Sequence, residues 1–173
     1  MSLLVVGSVA IDSLETPFGK RREVLGGSAT YFSVSASFFT NVKMVAVIGS
    51  DFPKKYINQL KTRDISLEGL EYNDGKTFRW KGRYGYDLNT ARTIYTKLNV
   101  FESFSPKIPE SYRRTPYLFL ANIDPELQLD VHLFRDAGGV VERLRQLREE
   151  RAHLILVLEV ERGAFHAHPL LVV

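Results

Sequence analysis

Leu25–Phe39 reads LGGSATYFSVSASFF, and the fold turns on it. Two glycines stand directly before a run in which Ala29, Phe32, Ala36 and Phe39 recur at helical spacing, so a buried helix is expected over Ser28–Phe39. Glycines at such a start let the backbone approach a ligand, because no Cβ intervenes. The free N–H groups of the first turn then point at that ligand's oxygens. A plain loop before a helix is the simpler alternative, and a lone Gly-Gly would favour it.

The flanking stretches argue against the simpler view. Leu4–Asp12 is LVVGSVAID and Val45–Asp51 is VAVIGSD; each joins an apolar run to glycine and a carboxylate. Leu3–Val6 and Lys43–Ile48 read as buried strands. Glu15–Leu25, carrying Pro17 and Gly19, reads as a turn leading into a short edge segment. Ser50 or Asp51 caps the next helix, with Pro53 in its first turn and Tyr56, Ile57 and Leu60 as its apolar stripe. Strand, helix, strand, helix is the order of a parallel α/β sheet. Lys76–Tyr86 (KTFRWKGRYGY) and Ala91–Leu98 (ARTIYTKL) then alternate apolar and basic or polar residues, as an antiparallel hairpin does. Tyr117–Ile123 (YLFLANI) reads as a further buried strand.

These motifs, in this order, resemble the N-terminal part of the PfkB (ribokinase-like) family of sugar and nucleoside kinases, over roughly residues 3–130. The resemblance implies an α/β fold: a doubly wound, mostly parallel sheet with helices on both faces and a small antiparallel β lid near 76–98, here incomplete. It implies ATP-dependent phosphoryl transfer to a sugar or nucleoside hydroxyl, with ATP and Mg as cofactors. It makes Asp12, Gly26, Gly27, Tyr31, Asn122 and Asp124 the substrate-binding residues and Phe78, Trp80 and Tyr84 the lid residues. Two positions depart from the family pattern: Ala10, where many relatives carry Asn, and Tyr31, which matches the Asn of the glycine-glycine motif. The later Gly-Ala-Gly-Asp-like motif that supplies the catalytic base and phosphate cradle in that family has no counterpart. Gly138-Gly139 is not followed by the required Asp, and Gly163-Ala164 leads to Phe165. No catalytic residue is therefore assigned, and a truncated kinase-like chain, inactive alone, is expected. The alternative is a non-enzymatic ligand-binding or oligomerisation module built from the same half-fold. An unrelated doubly wound nucleotide binder is disfavoured by the lack of a Gly-x-Gly-x-x-Gly fingerprint.

A length of 173 residues with 45% hydrophobic content suits one globular domain or one domain plus an appendage. Without cysteine there is neither a disulfide framework nor a thiolate metal site. The start lacks a signal peptide's features and no apolar run is long enough for a membrane span, so a cytoplasmic location is expected. A net charge of +3 makes no case for nucleic acid. The lid offers a face for a homo-oligomer.

The composition changes near residue 131. All nine lysines lie at or before Lys107 and all four histidines at or after His132. This divides the chain into 1–131 and a divergent or foreign tail, 132–173. Within the tail, Val140, Val141, Leu144 and Leu147 form a helical stripe, Arg143–Arg151 a salt-bridged helix face, and Leu154–Val160 an apolar strand candidate, which a native tail, but not a foreign one, would insert beside Tyr117–Ile123. His166 and His168 lack the further ligands that a metal site needs.

Overall fold

The computed structural model describes residues 2–128, 131, 158–161 and 164–167. Its core is a parallel sheet of β1 (Ser2–Val6), β4 (Asn41–Gly49), β5 (Ser66–Asn73) and β8 (Tyr117–Leu120), in the order β5-β4-β1-β8. Side chains along β1 and β4 alternate between two apolar clusters. Val5, Val42, Met44, Ala46 and Ile48 lie on one face, and Leu4, Val6, Val45 and Val47 on the other. Burial on both faces is why these strands read as unbroken apolar runs.

The first face is covered by α1 (Ser28–Ala36) and α2 (Lys54–Lys61), through Ala29, Phe32, Tyr56, Ile57 and Leu60. The second is covered by a 3-10 turn at Asn99–Phe101, by α3 (Glu110–Arg113) and by a helical segment at 125–128. With the segment between the 3-10 turn and α3, they contribute Val100, Phe104, Ile108, Tyr112 and Leu127. The expected arrangement of helices on both faces is thus present. So is a second sheet, also of four strands: β2 (Ala10–Thr16), β3 (Gly19–Gly26), β6 (Phe78–Tyr84) and β7 (Ala91–Lys97), in the order β3-β2-β6-β7.

Several expectations are corrected. Glu15–Leu25 holds the expected turn, at residues 17–18, and leads into an edge strand, but that strand is eight residues long. It belongs to a full hairpin, β2 with β3, that joins the expected β6–β7 hairpin to make a four-stranded lid. Asp12 consequently lies inside a lid strand, not at the end of a core strand. The alternation in this stretch is masked by a β-bulge between the pairs Asp12↔Val24 and Leu14↔Arg21, where Glu23 adopts φ 52°. Helix α1 stops at Ala36. The amide of Phe39 bonds to the carbonyl of Ala36, and the Ser37 hydroxyl donates to that of Val34. This tighter turn carries Phe39 off the buried stripe and leaves it 87% exposed. Neither Ser50 nor Asp51 caps α2; Pro53 occupies that position without a side-chain cap. Asp51 instead reaches into the lid. Strand β5 was not anticipated, because its SLEGLEYN carries two glutamates and a glycine at the sheet edge.

The helical stripe at Val140–Leu147 and the Arg143–Arg151 run lie outside the described residues. Of Leu154–Val160, the described part belongs to β9 (Leu158–Glu161). It pairs antiparallel with β10 (Ala164–Ala167) in a separate two-stranded sheet, not with β8. His166 lies in β10, whereas His168 is outside the described residues. No described helix is long and apolar enough to cross a membrane.

Tyr112 ties the second face to the sheet edge. Its ring is buried, and its hydroxyl donates to Ser66 Oγ at 2.7 Å and accepts from the Glu68 N–H at 3.0 Å. Tyr112→Phe keeps the ring and strands those partners, so a loss of about 1–2 kcal/mol is expected. Urea unfolding with an unchanged m-value checks it.

Candidate functional site

Strand β1 lies between β4 and β8, so the loops after β1 and β8 diverge at the carboxyl end of the sheet. That switch point is where open α/β sheets leave a ligand crevice. Three segments meet there. Ser8 follows β1, and its hydroxyl accepts the Ser28 N–H at 3.2 Å and lies 3.0 Å from Ser28 Oγ. The Ser8 carbonyl accepts the Ala29 N–H at 3.1 Å. Ser28 Oγ in turn accepts the Asn122 N–H, just after β8, at 3.0 Å. The Ser8 hydroxyl and carbonyl thus satisfy the start of α1 that glycine cannot cap.

Gly26 and Gly27 are there for close approach. Gly27 has φ 95°, and a Cβ on it would lie 2.8 Å from the Ala10 nitrogen and overlap the Ser8 carbonyl. A Cβ on Gly26 would overlap the Asp12 carboxylate. Asp12 therefore rests against bare backbone. It is half-buried and has no hydrogen bond or ion pair among the described residues. Burial raises its pKa to about 6.

Register puts Trp80 beside Asp12 in the lid. Asp12 pairs with Trp80, so both project from one face of the lid, and Tyr84 follows by alternation. Trp80 Nε1 donates to Thr93 Oγ1 at 3.2 Å, and Gly82 makes room for its ring. Tyr31, 59% exposed, donates to the Leu25 carbonyl at 3.2 Å. Burial first, then the charges of Asp12, Tyr84 and Tyr56, push its phenol pKa up. Phe78 is turned to the lid base, stacked on Phe101 with centroids 5.3 Å apart. Asn122 is exposed beside the start of α1. Asp124 Oδ1 accepts the Glu126 N–H at 2.8 Å, as an N-cap does.

The chain is 30% identical over 131 residues to a cytidine kinase of Thermococcus kodakarensis, an alignment spanning 75% of this chain and 46% of that protein. It resembles a ribokinase of Cryptococcus neoformans var. grubii serotype A in complex with ADP, with a TM-score of 0.57 and 19% identity. That match covers 68% of this chain and 41% of the ribokinase. A nucleoside kinase of Methanocaldococcus jannaschii, an archaeal member of the ribokinase family, matches with a TM-score of 0.53 and 19% identity. There the coverage is 74% of this chain and 46% of the kinase. Part of this chain has the PfkB-type, ribokinase-like kinase fold. It spans less than half the length of each of these three proteins. No protein-family model matches it.

Within that fold, Asp12, Gly26, Gly27 and Tyr31 lie at the start of α1, Trp80 and Tyr84 share the lid face of Asp12, Asn122 borders α1, and Asp124 and Phe78 serve their local elements. Among the described residues no group of three His, Cys, Asp or Glu side chains could hold a metal ion. The first two N–H groups of α1 are occupied by Ser8. Among the described residues this set makes no Mg²⁺ site, and those two N–H groups are not free for a phosphate. An open cleft of about 390 Å³, between the β5–β6 loop and the 3-10 turn, contains none of the site residues.

On the opposite face of the lid stand charged residues whose partners the linear pattern did not show. Asp51 Oδ1 accepts from the Thr77 N–H and hydroxyl at 2.7 and 2.8 Å, and Oδ2 accepts from Arg79 at 2.8 Å. Burial alone would raise the Asp51 pKa, but the Arg79 and Thr77 hydrogen bonds outweigh it and hold it low. On the same face, Glu15 gathers Lys20, Lys81 and Arg83, and hydrogen bonds from Lys81 and Arg83 lower its pKa to about 2.

The raised pKa of Asp12 has a stability consequence. The folded state holds its proton more tightly than the unfolded chain, so stability falls as pH rises from about 4 through about 6. Asp12→Asn removes that dependence. Discounted for partial exposure, the variant should gain roughly 1–2 kcal/mol over the parent at pH 7, and the gain should vanish near pH 4. Denaturant unfolding at both pH values checks the sign.

Proposed function

We propose that this chain is the acceptor-binding part of a PfkB-type kinase, a cytoplasmic protein that holds a nucleoside or sugar through Asp12. The observation that carries the reading is the half-buried Asp12 carboxylate, without a partner among the described residues, set against Gly26 at the switch point of the sheet. A carboxylate accepts hydrogen bonds from two neighbouring hydroxyls, which would supply the donors that burial denies it. Trp80, Tyr84 and Tyr31 offer flat apolar surface to a sugar ring or a base. The cytidine kinase relative makes cytidine the first ligand to try, with ribose as the sugar counterpart. Residues 1–131 form this unit, and 132–173 are an appended tail.

Phosphoryl transfer needs a base at the acceptor hydroxyl and positive or N–H groups around the transferred phosphate. The Gly-Asp motif that supplies them in the family does not occur in these 173 residues. The chain alone therefore binds acceptor without turning over ATP. Exposed aromatic rings, with Phe18 and Tyr86 in edge contact at the lid tip and Phe38 69% exposed at the end of α1, favour a self-associating module as the second reading.

Isothermal titration with cytidine and ribose is the test. Binding of one of them, weakened at least tenfold by Asp12→Asn, is the expected outcome. ADP release in a coupled assay should stay at background. Turnover that Asp12→Asn abolishes would show a complete kinase, and no binding with a concentration-dependent mass in light scattering would favour the module.

A further inference from the structure

Arg79 lies on the face of the lid opposite Asp12, yet its contacts surround the Asp12 strand. Its guanidinium donates to Glu23 Oε1 through Nη1 and to Asp51 Oδ2 through Nη2, both at 2.8 Å. Asp51 belongs to the core, just after β4, and is itself fastened to Thr77 at the entry to β6. Glu23 belongs to β3, and its carbonyl accepts the Tyr56 hydroxyl of α2 at 2.7 Å. One planar group therefore joins two lid strands to the core. The side chains of Arg79 and Asp51 are 24% and 27% exposed, so the pair is partly screened from water.

The register gives this latch its meaning. Asp12 pairs with Trp80 on one side and Val24 on the other. Arg79 and Glu23 are the residues immediately before those two partners. The bridge thus passes over β2 on its far face, beside the position from which Asp12 projects into the crevice. Glu23 reaches it only because the bulge turns its backbone to φ 52°. Lysine could not reproduce the two-armed contact, since only a guanidinium presents a planar fork to two carboxylates.

We propose that Arg79 is a positioning residue for the acceptor site: bridging Asp51 and Glu23, it fixes the lid strand that carries Asp12 relative to the start of α1. This rests on the acceptor-binding reading above. Arg79 does not touch the ligand. Its effect passes through the backbone of β2, and so it depends on Asp12 being present.

The test is cytidine and ribose titration of the full chain and of Arg79→Met, each with Asp12 intact and with Asp12→Asn, together with hydrogen exchange. Arg79→Met is expected to weaken binding about tenfold with Asp12 present and less than about twofold in the Asp12→Asn background. Amides of residues 10–13 should exchange at least about tenfold faster, while those of Val45–Ile48 stay unchanged. Arg79→Lys should fall between the two. Equal losses in both backgrounds, or faster exchange reaching β4, would overturn the proposal by showing only general destabilisation. Should the parent chain bind neither ligand, the acceptor-binding reading fails and the exchange pattern alone decides the latch. Should Arg79→Met fail to fold, Glu23→Gln, which leaves the Asp51 arm, should reproduce the localised exchange and a loss of about threefold; unchanged binding and exchange there would also overturn it.

Discussion

The chain crosses itself at Gly27, and the rest of the structure depends on that crossing. Its backbone lies against the Ser8 carbonyl and the Ala10 nitrogen, closer than any side chain would allow. Because the two segments touch, Ser8 can take the first N–H groups of α1, β3 can run back along β2, and the Asp12 carboxylate can rest on Gly26. Core, lid and crevice are thereby set by one contact between two loops that are twenty residues apart.

The two sheets are held by different forces. The parallel sheet buries both faces, and its strands are secured by apolar surface removed from water. The lid is largely solvated; β7 has no fully buried residue. Its order comes from strand pairing and from polar ties such as Glu15 with Lys81 and Arg83, and Arg79 with Asp51 and Glu23. Exposed ion pairs contribute little to stability, but their geometry fixes direction. A lid tied this way has a definite position over the crevice without a large apolar interface.

The candidate site was legible through the family resemblance, which the strand-glycine-carboxylate runs around Gly26-Gly27 carry and which points to Asp12. An acidic residue after the first strand, taken alone, reads as readily as a turn or cap residue. The relation between the site residues was not legible, since Asp12 lies in a lid strand whose alternation is interrupted at the Glu23 bulge. Asp124 resembled a ligand contact because Asx residues serve both as contacts and as caps. Arg79 read as one more solvated cation of KTFRWKGRYGY, because its partners stand 28 and 56 residues away.

The sequence by itself determined the parallel core and the start of α1, because burial on two faces demands continuous apolar strands and a tight approach demands glycine. It also determined the β6–β7 hairpin, whose alternation is local. Only the tertiary structure decided that β2 and β3 complete the lid and that β5 forms the edge of the core. It likewise decided that Asp51 serves the lid and not α2, and that Phe39 leaves the core. Each of these depends on which distant strand a segment meets, and hydrogen bonds between distant strands leave no period in the linear chain.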